Sequence, residues 1–489
     1  MELGKTLTRT SWIWELFAFG LLTLVAFLFL VPFHKSLPVL VVLLLPLLTV
    51  FVLPSVTREG VRNFATLAGS FTWWHWLWLF VLVSGQVFRA RDLQNINNNP
   101  LDSAAIFRVL VEGLVALFLF ARLVDERTPW LRALFRGLIG LMTVFTLISV
   151  VSTLWSVKPL WTLYKSLEYG VDLALLAAVT VTVRSVQQYE ELLNWTWTLT
   201  GGLLITVWIG AVLDPHDAFV LGTEATLPIP QLTGVIPAQA SNAVGEFSAI
   251  LAVVSLCRIL LPAENKLNRR WYQALLVFSL VTLFFAQTRT AIAGFLLATV
   301  LLLFFSRRII MGISLASAGA VVAAFTDSAQ MIWTYLLRGQ SVEEAHGLSS
   351  RLEWWRLAWH VFLKRPLIGW GGFAGGRFVV LAQLNRPGTP DLHSSIIETL
   401  VDTGVFGVLF LVLTLCGAGW FLFRGVRSPM LTDSEARLAV ESLAVLVVLS
   451  FRCIFSATLI SHPALTYLAV LGYAEVVRRQ LKYGNFRAA

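Results

Sequence analysis

The chain has 489 residues, 57% of them hydrophobic and only 13% charged, with a mean hydropathy of +0.76. Soluble domains carry about 25% charged residues, so a water-soluble globular fold is excluded. Apolar runs of membrane length recur from end to end and predict an all-α, polytopic membrane bundle. A formal charge of +9 would suit a nucleic-acid partner, but basic residues on cytoplasmic connections account for it, and none is expected.

The N-terminus, residues 1–12, has a basic start and no small-residue cleavage site before Pro32, so it reads as a retained first span. Spans are predicted near 12–31, 37–54, 71–88, 104–122, 132–152, 166–184, 195–213, 243–261, 272–287, 289–306, 309–325, 396–423, 437–457 and 464–479. That is about 12–14 crossings of roughly 20 residues each. Four segments follow: N-terminal helices (1–240), a helical core (241–325), a loop (326–394) and C-terminal helices (395–489). With the N-terminus inside, the cytoplasmic connections collect Arg58, Arg62, Arg127, Arg132, Lys266, Arg269, Arg270, Arg307, Arg308, Arg424, Arg427, Arg478, Arg479 and Lys482. This asymmetry places both termini in the cytoplasm. The 19 Trp fit a membrane protein, because indoles favour its interfaces. Cys257, Cys416 and Cys453 all fall in apolar runs, so neither a disulfide frame nor a metal-type Cys pair is expected.

Three outward connections are long. Residues 89–102 carry the polar run 94–99 and read as a solvated turn. Residues 214–241 contain Asp214, His216 and Asp217 among prolines, and read as a Pro-rich loop rather than a metal site. The third, 326–392, holds the most polar mass. Ser350 and Glu353 have capping-box spacing, predicting a helix to Lys364 that Pro366 stops. Leu352, Trp355, Trp359 and Phe362 form its apolar stripe, and Arg356, His360 and Lys364 lie opposite, so the helix should rest in the outer interface. The glycine-rich run 369–377, ending in Arg377, reads as a flexible strap and not a dinucleotide fingerprint. Ser395 and Glu398 again have capping-box spacing, which puts His393 at the positive end of a long apolar helix, a seat for an anion. No internal repeat of the transporter kind is visible.

Several polar residues sit at or in apolar runs. Arg289 opens a helix at the outer boundary, as a snorkelling cation or a functional one. Asn242 reads as a cap, and Glu246 lies one turn into the bilayer, where a carboxylate needs a partner. Arg452 is intramembrane, either functional or paired with Glu398, Asp402 or Glu441. Lys158 and Lys165 flank two spans as rim cations or ligand contacts.

The order of these elements resembles the bacterial O-antigen ligase and O-antigen polymerase family over roughly residues 240–425. The resemblance rests on Asn242 and Gly245, on Arg289 in a Thr-Arg-Thr-Ala helix start, and on Ser350-Arg351, Pro366, Gly369 and Gly371. It ends with His393 followed by Gly404 and Gly407, and upstream the 154–159 stretch is similar to a Trp-Ser-x-x-Pro element of the family. Ser394 stands where relatives often have Asn. The resemblance implies an inner-membrane glycosyltransferase working on the periplasmic face with no cofactor and no metal. An enzyme facing outward lacks nucleotide sugars, so its donor arrives activated, as an undecaprenyl-pyrophosphate-linked glycan. The acceptor would be lipid A core for a ligase, or a second lipid-linked glycan for a polymerase. A lipid-linked sugar flippase is the reading from another class. His393 and Arg289 would be catalytic, the histidine as base or phosphate ligand, since histidine titrates near neutrality. Arg351, Arg356, Lys165, Asn242, Arg452 and Arg377 would contact pyrophosphate or acceptor.

Overall fold

The structure, a computed structural model, describes residues 71–86, 103–126, 130–183, 185–220, 230–261, 269–325, 328–337, 351–385, 391–460 and 464–483, with Ala65 and Gly69. The first two predicted spans, the polar run 94–99, Arg58, Arg62, Arg127, Lys266, Ser350 and both termini lie outside these residues.

Each predicted span from residue 71 onward falls on helix, although 132–152 is split by a turn at Phe135 and Arg136. The helices are α1 (Trp73–Gln86), α2 (Ser103–Glu126), the short α3 (Trp130–Leu134), α4 (Gly137–Val151), α5 (Pro159–Thr182), α6 (Val186–Leu213) and the single turn α7 (Pro215–Ala218). Then come α8 (Ser241–Leu260), α9 (Arg269–Ala286), α10 (Arg289–Phe305), α11 (Ile309–Phe325), α12 (Ser328–Leu337), α13 (Arg351–Lys364), α14 (Ser395–Arg427), α15 (Asp433–Cys453) and α16 (Leu465–Tyr483). Among the described residues four helical stretches are long and apolar enough to cross a membrane: Gly137–Trp155, Val186–Leu213, Ser241–Leu260 and Ser395–Arg427. Arg289–Phe305 and Ile309–Ala318 are shorter apolar helices. The Pro-rich connection after α6 adds two small antiparallel ladders, β1 (Phe219–Val220) with β2 (Gln231–Leu232), and β3 (Gly234–Val235) with β4 (Ala238–Gln239).

Local chemistry explains several helix starts. Pro159 opens α5, where a missing N–H costs nothing. Ser185 accepts from the Gln188 N–H to cap α6. Thr432 and Glu435 form a reciprocal capping box at α15. The first turn of α4 is capped from another helix: the Leu138 N–H donates to the buried Glu475 carboxylate at 2.9 Å, and Arg478 and Arg479 balance that carboxylate. This end of the bundle is tied by ion pairs. Arg258 holds Glu441 through two hydrogen bonds of 2.7 and 2.8 Å, and Arg437 meets Glu190.

Helix α14 is broken at Gly404, whose φ of 69° and ψ of −164° suit glycine alone. The break parts a short segment, 395–403, from a long one, 405–427, about 34 Å at 1.5 Å per residue. The backbone groups freed there are satisfied by the glycine-rich run: Trp370 and Gly371 N–H donate to the Val401 and Asp402 carbonyls, and Val405 N–H donates to Pro366. A helix can break at membrane depth only where protein replaces the lost bonds.

That run was expected to be a flexible strap. It is instead packed and largely buried. Gly371 (φ 114°) lies so close to Ser156 that a Cβ would overlap it, and Gly372 donates to the Ser152 hydroxyl at 2.7 Å. Trp155 and Trp161 indoles donate to the Ile368 and Phe373 carbonyls. The run then turns through a π-helical segment, 376–381. Its glycines permit close approach, and that is a packing role rather than mobility.

Candidate functional site

The residues at the other end of the bundle converge on the turn that starts α14. Ser394 is the N-cap, its hydroxyl accepting from the Ile397 N–H at 3.3 Å. The expected Ser395–Glu398 box does not form. Ser395 is already helical and donates to the Ser456 carbonyl at 2.9 Å, while Glu398 reaches back to accept from the Leu392 N–H at 3.2 Å. Both side chains were drawn away by partners that a local pattern does not contain.

His393 directly precedes the cap with φ 54°. Its backbone N–H donates to the Asp391 carboxylate at 2.7 Å, and Nδ1 of its ring lies 3.0 Å from the same oxygen. A carboxylate only accepts, so Nδ1 carries the hydrogen, and in the neutral form of the ring Nε2 is the acceptor. The ring stacks on Trp354 at 5.7 Å and is 25% exposed. Burial alone would raise the Asp391 pKa, but the hydrogen bonds and charge of His393, followed by the charge of Arg351, outweigh it and hold the carboxyl below its usual range.

Arg351 opens α13 and donates to the Phe455 carbonyl at 3.2 Å. It lies within electrostatic reach of Asp391, Arg452 and Arg289. Burial, then the two like charges, lower its pKa against the pull of Asp391. The Trp355 indole donates to the Leu392 carbonyl, tying α13 to the histidine turn. Arg289, at the start of α10, donates to the Leu337 carbonyl at the end of α12. Arg351 thus links the Asp391–His393 pair to Arg289 electrostatically.

Arg452 is buried to 1% exposure. Its partner is Glu246, at 2.8 Å, and none of Glu398, Asp402 or Glu441. It also donates to Thr290 and to the backbone carbonyl of Asn242, both at 3.0 Å, so it joins α15 to α8 and α10. Glu246 additionally accepts from Thr458. Asn242 is not a cap: α8 begins at Ser241, with Ala240 as the N-cap residue.

On the other flank, Lys165 pairs with Glu168 at 2.5 Å, and Arg108 reaches that carboxylate at 3.5 Å. Arg377, buried in the π-helical turn, lies over the Trp161 ring and within electrostatic reach of Lys165 and Glu398. Arg356 is exposed. At 100° per residue it lies about 140° around α13 from Arg351, so the two do not face one point. The buried face of α13 is Trp354, Ala358, Val361 and Phe362, with Leu352 and Trp359 exposed. It is rotated by about 100° from the predicted stripe, because α13 packs on Val380, Leu381, Leu392 and Val401.

Asp391, Trp354 and Trp161 have no role that the sequence alone assigns. The acid two residues before the histidine was the available signal for Asp391. Among the described residues no three His, Cys, Asp or Glu side chains are grouped to hold a metal ion.

None of the curated proteins matches the chain. The stretch that does find a match, residues 274–412, contains Arg289, Arg351, Arg377, Asp391 and His393, and it matches the family described as O-antigen ligase.

Proposed function

We propose that the protein is an inner-membrane glycosyltransferase of the ligase type, moving a glycan from undecaprenyl pyrophosphate to a sugar hydroxyl of lipid A core on the periplasmic face. The asymmetric distribution of Lys and Arg supports this orientation, with both termini in the cytoplasm. His393 Nε2 takes the proton of the acceptor hydroxyl as its oxygen forms a bond to the anomeric carbon. The bond from that carbon to the pyrophosphate oxygen breaks, and its electron pair leaves with the pyrophosphate. Arg351, within reach of Asp391 in the turn that opens α14, and Arg289, within reach of Arg351, stabilise that developing charge. Asp391 is a positioning residue: it fixes the imidazole tautomer and favours the imidazolium that forms. Arg452 acts as a structural tie that adds field to the site without touching substrate. Arg356 is left out of the contact set.

The observation that carries the proposal is the Asp391–His393 pair with Arg351 in electrostatic reach of both Asp391 and Arg289. The experiment is transfer in liposomes holding the full chain, an undecaprenyl-pyrophosphate-linked glycan and lipid A core. Covalent product is expected, with His393→Ala reducing it by about 10²–10⁴-fold and Arg289→Ala abolishing it at unchanged expression. Full activity in both variants overturns the mechanism. Product only with a lipid-linked acceptor makes the protein a polymerase, and movement of the glycan without product makes it a flippase.

A further inference from the structure

The proposed mechanism uses one flank of the histidine turn. The other flank carries a second group of cations, held in an unusual way. Lys165 Nζ lies 4.9 Å from the centre of the Tyr164 ring and 5.6 Å from that of Trp161. The Arg377 guanidinium is 5.2 Å from the same Trp161 ring. Lys158 Nζ is 5.6 Å from the Phe378 ring, which meets Trp161 edge to face at 5.7 Å. Three cations of like sign are thus gathered on aromatic faces, whose negative quadrupoles offset their repulsion. Carboxylates are also present: Glu168 binds Lys165 and Arg108, and Glu398 lies within reach of Arg377.

The cluster adjoins the histidine turn. A Cβ on Gly376, next to Arg377, would meet Glu398 Cγ and Leu392 at 3.2 Å. Arg351 reaches the turn through Asp391, whereas Arg377 lies within electrostatic reach of Glu398. Lys158 is exposed, and Trp161, Tyr164, Lys165 and Phe378 are partly so. A ligand can therefore meet the aromatic and cationic edge of the cluster beside the histidine turn.

We infer that Lys158, Lys165 and Arg377, gathered on Trp161, Tyr164 and Phe378, form a second anion seat that binds a phosphate- or carboxylate-bearing sugar of the acceptor. Its assignment to the acceptor rests on the transferase reading, with the donor pyrophosphate at Arg289 and Arg351. The aromatic rings give the seat a mixed character: cations for the anionic substituent, apolar faces for the C–H side of the sugar ring.

The test is equilibrium binding to the full chain in phosphatidylcholine nanodiscs, with no donor present, so that it does not depend on turnover. The probes are glucose 6-phosphate, glucuronic acid, glucose and inorganic phosphate. Glucose 6-phosphate should bind at least tenfold more tightly than glucose, with glucuronic acid also ahead of glucose. Trp161→Leu and Lys158→Gln should each weaken glucose 6-phosphate at least fivefold, and Arg351→Ala, in the other cluster, should spare that component. Lys158 is at the surface, so its variant tests the seat even if Trp161→Leu fails to fold. Equal affinity for glucose and glucose 6-phosphate overturns the inference, as does binding unchanged in Lys158→Gln. If phosphatidylglycerol added to the nanodisc displaces the sugar phosphate through the same residues, the seat belongs to a lipid headgroup and the acceptor assignment falls. Loss of this seat with intact His393-dependent transfer would reject the inference alone. Failure of transfer with the seat intact would reject the transferase reading.

Discussion

Replacing Arg452 by leucine should be costly, and removing its partner as well should restore most of the loss. In Arg452→Leu the carboxylate of Glu246 stays among buried helices and, among the described residues, keeps the Thr458 hydroxyl, 2.9 Å away, as its direct donor. Breaking a buried pair from one side costs about 3–5 kcal/mol, whereas replacing both charges is often close to neutral. At about 2.1 cal/mol/K per residue, unfolding a chain of this size carries about 1 kcal/mol/K. The single variant should therefore lower Tm by about 3–5 °C, and Arg452→Leu with Glu246→Gln should recover most of that fall. The assay is thermal unfolding of the purified protein in detergent, followed by size-exclusion of a fluorescent fusion, with liposome transfer measured in parallel. A tie between α15, α8 and α10 requires transfer to return with stability in the double variant. An unchanged Tm in Arg452→Leu would refute the energetics, as would a double variant no more stable than the single one. A stable double variant without transfer would refute the structural role and place Arg452 against the substrate.

Gly404→Ala should lose folded protein: its backbone conformation costs other residues about 1–3 kcal/mol, and a Cβ would also overlap the Leu367 backbone. Wild-type yield and Tm in that variant would mean that α14 is not broken there. For Asp391 the folded pKa is depressed, so its stabilising effect is present above the unfolded value of about 3.9 and is lost as pH falls through the lower folded value. The Tm gap between wild type and Asp391→Asn should not shrink from pH 7 to 5 and should close below about pH 4. A gap that closes between pH 7 and 5 contradicts that assignment.

The residues that run consecutively along the chain settled which segments are helices. Apolar runs placed a helix at every described span, and the basic, amphipathic stretch 351–364 became α13 with the predicted ends. His393 stands at the start of α14 as expected, because the polar-to-apolar change there is local. Partners were a different matter. Arg452 and Glu246 are separated by 206 positions, and each was recognisable as a buried charge needing compensation, but which charge met which depended on how α8 and α15 pack. The same holds for the face of α13 that is buried, which follows from where Val380, Leu392 and Val401 lie rather than from its own periodicity. Glycine-rich run and broken helix explain one another: Gly404 frees backbone groups that residues 366–371 satisfy, and neither stretch announces the other in sequence. Hydrophobicity and helix propensity act over a few residues and can be read from one segment. Hydrogen-bond and charge partners are selected across the whole fold, where burial makes an unpaired group too costly to keep.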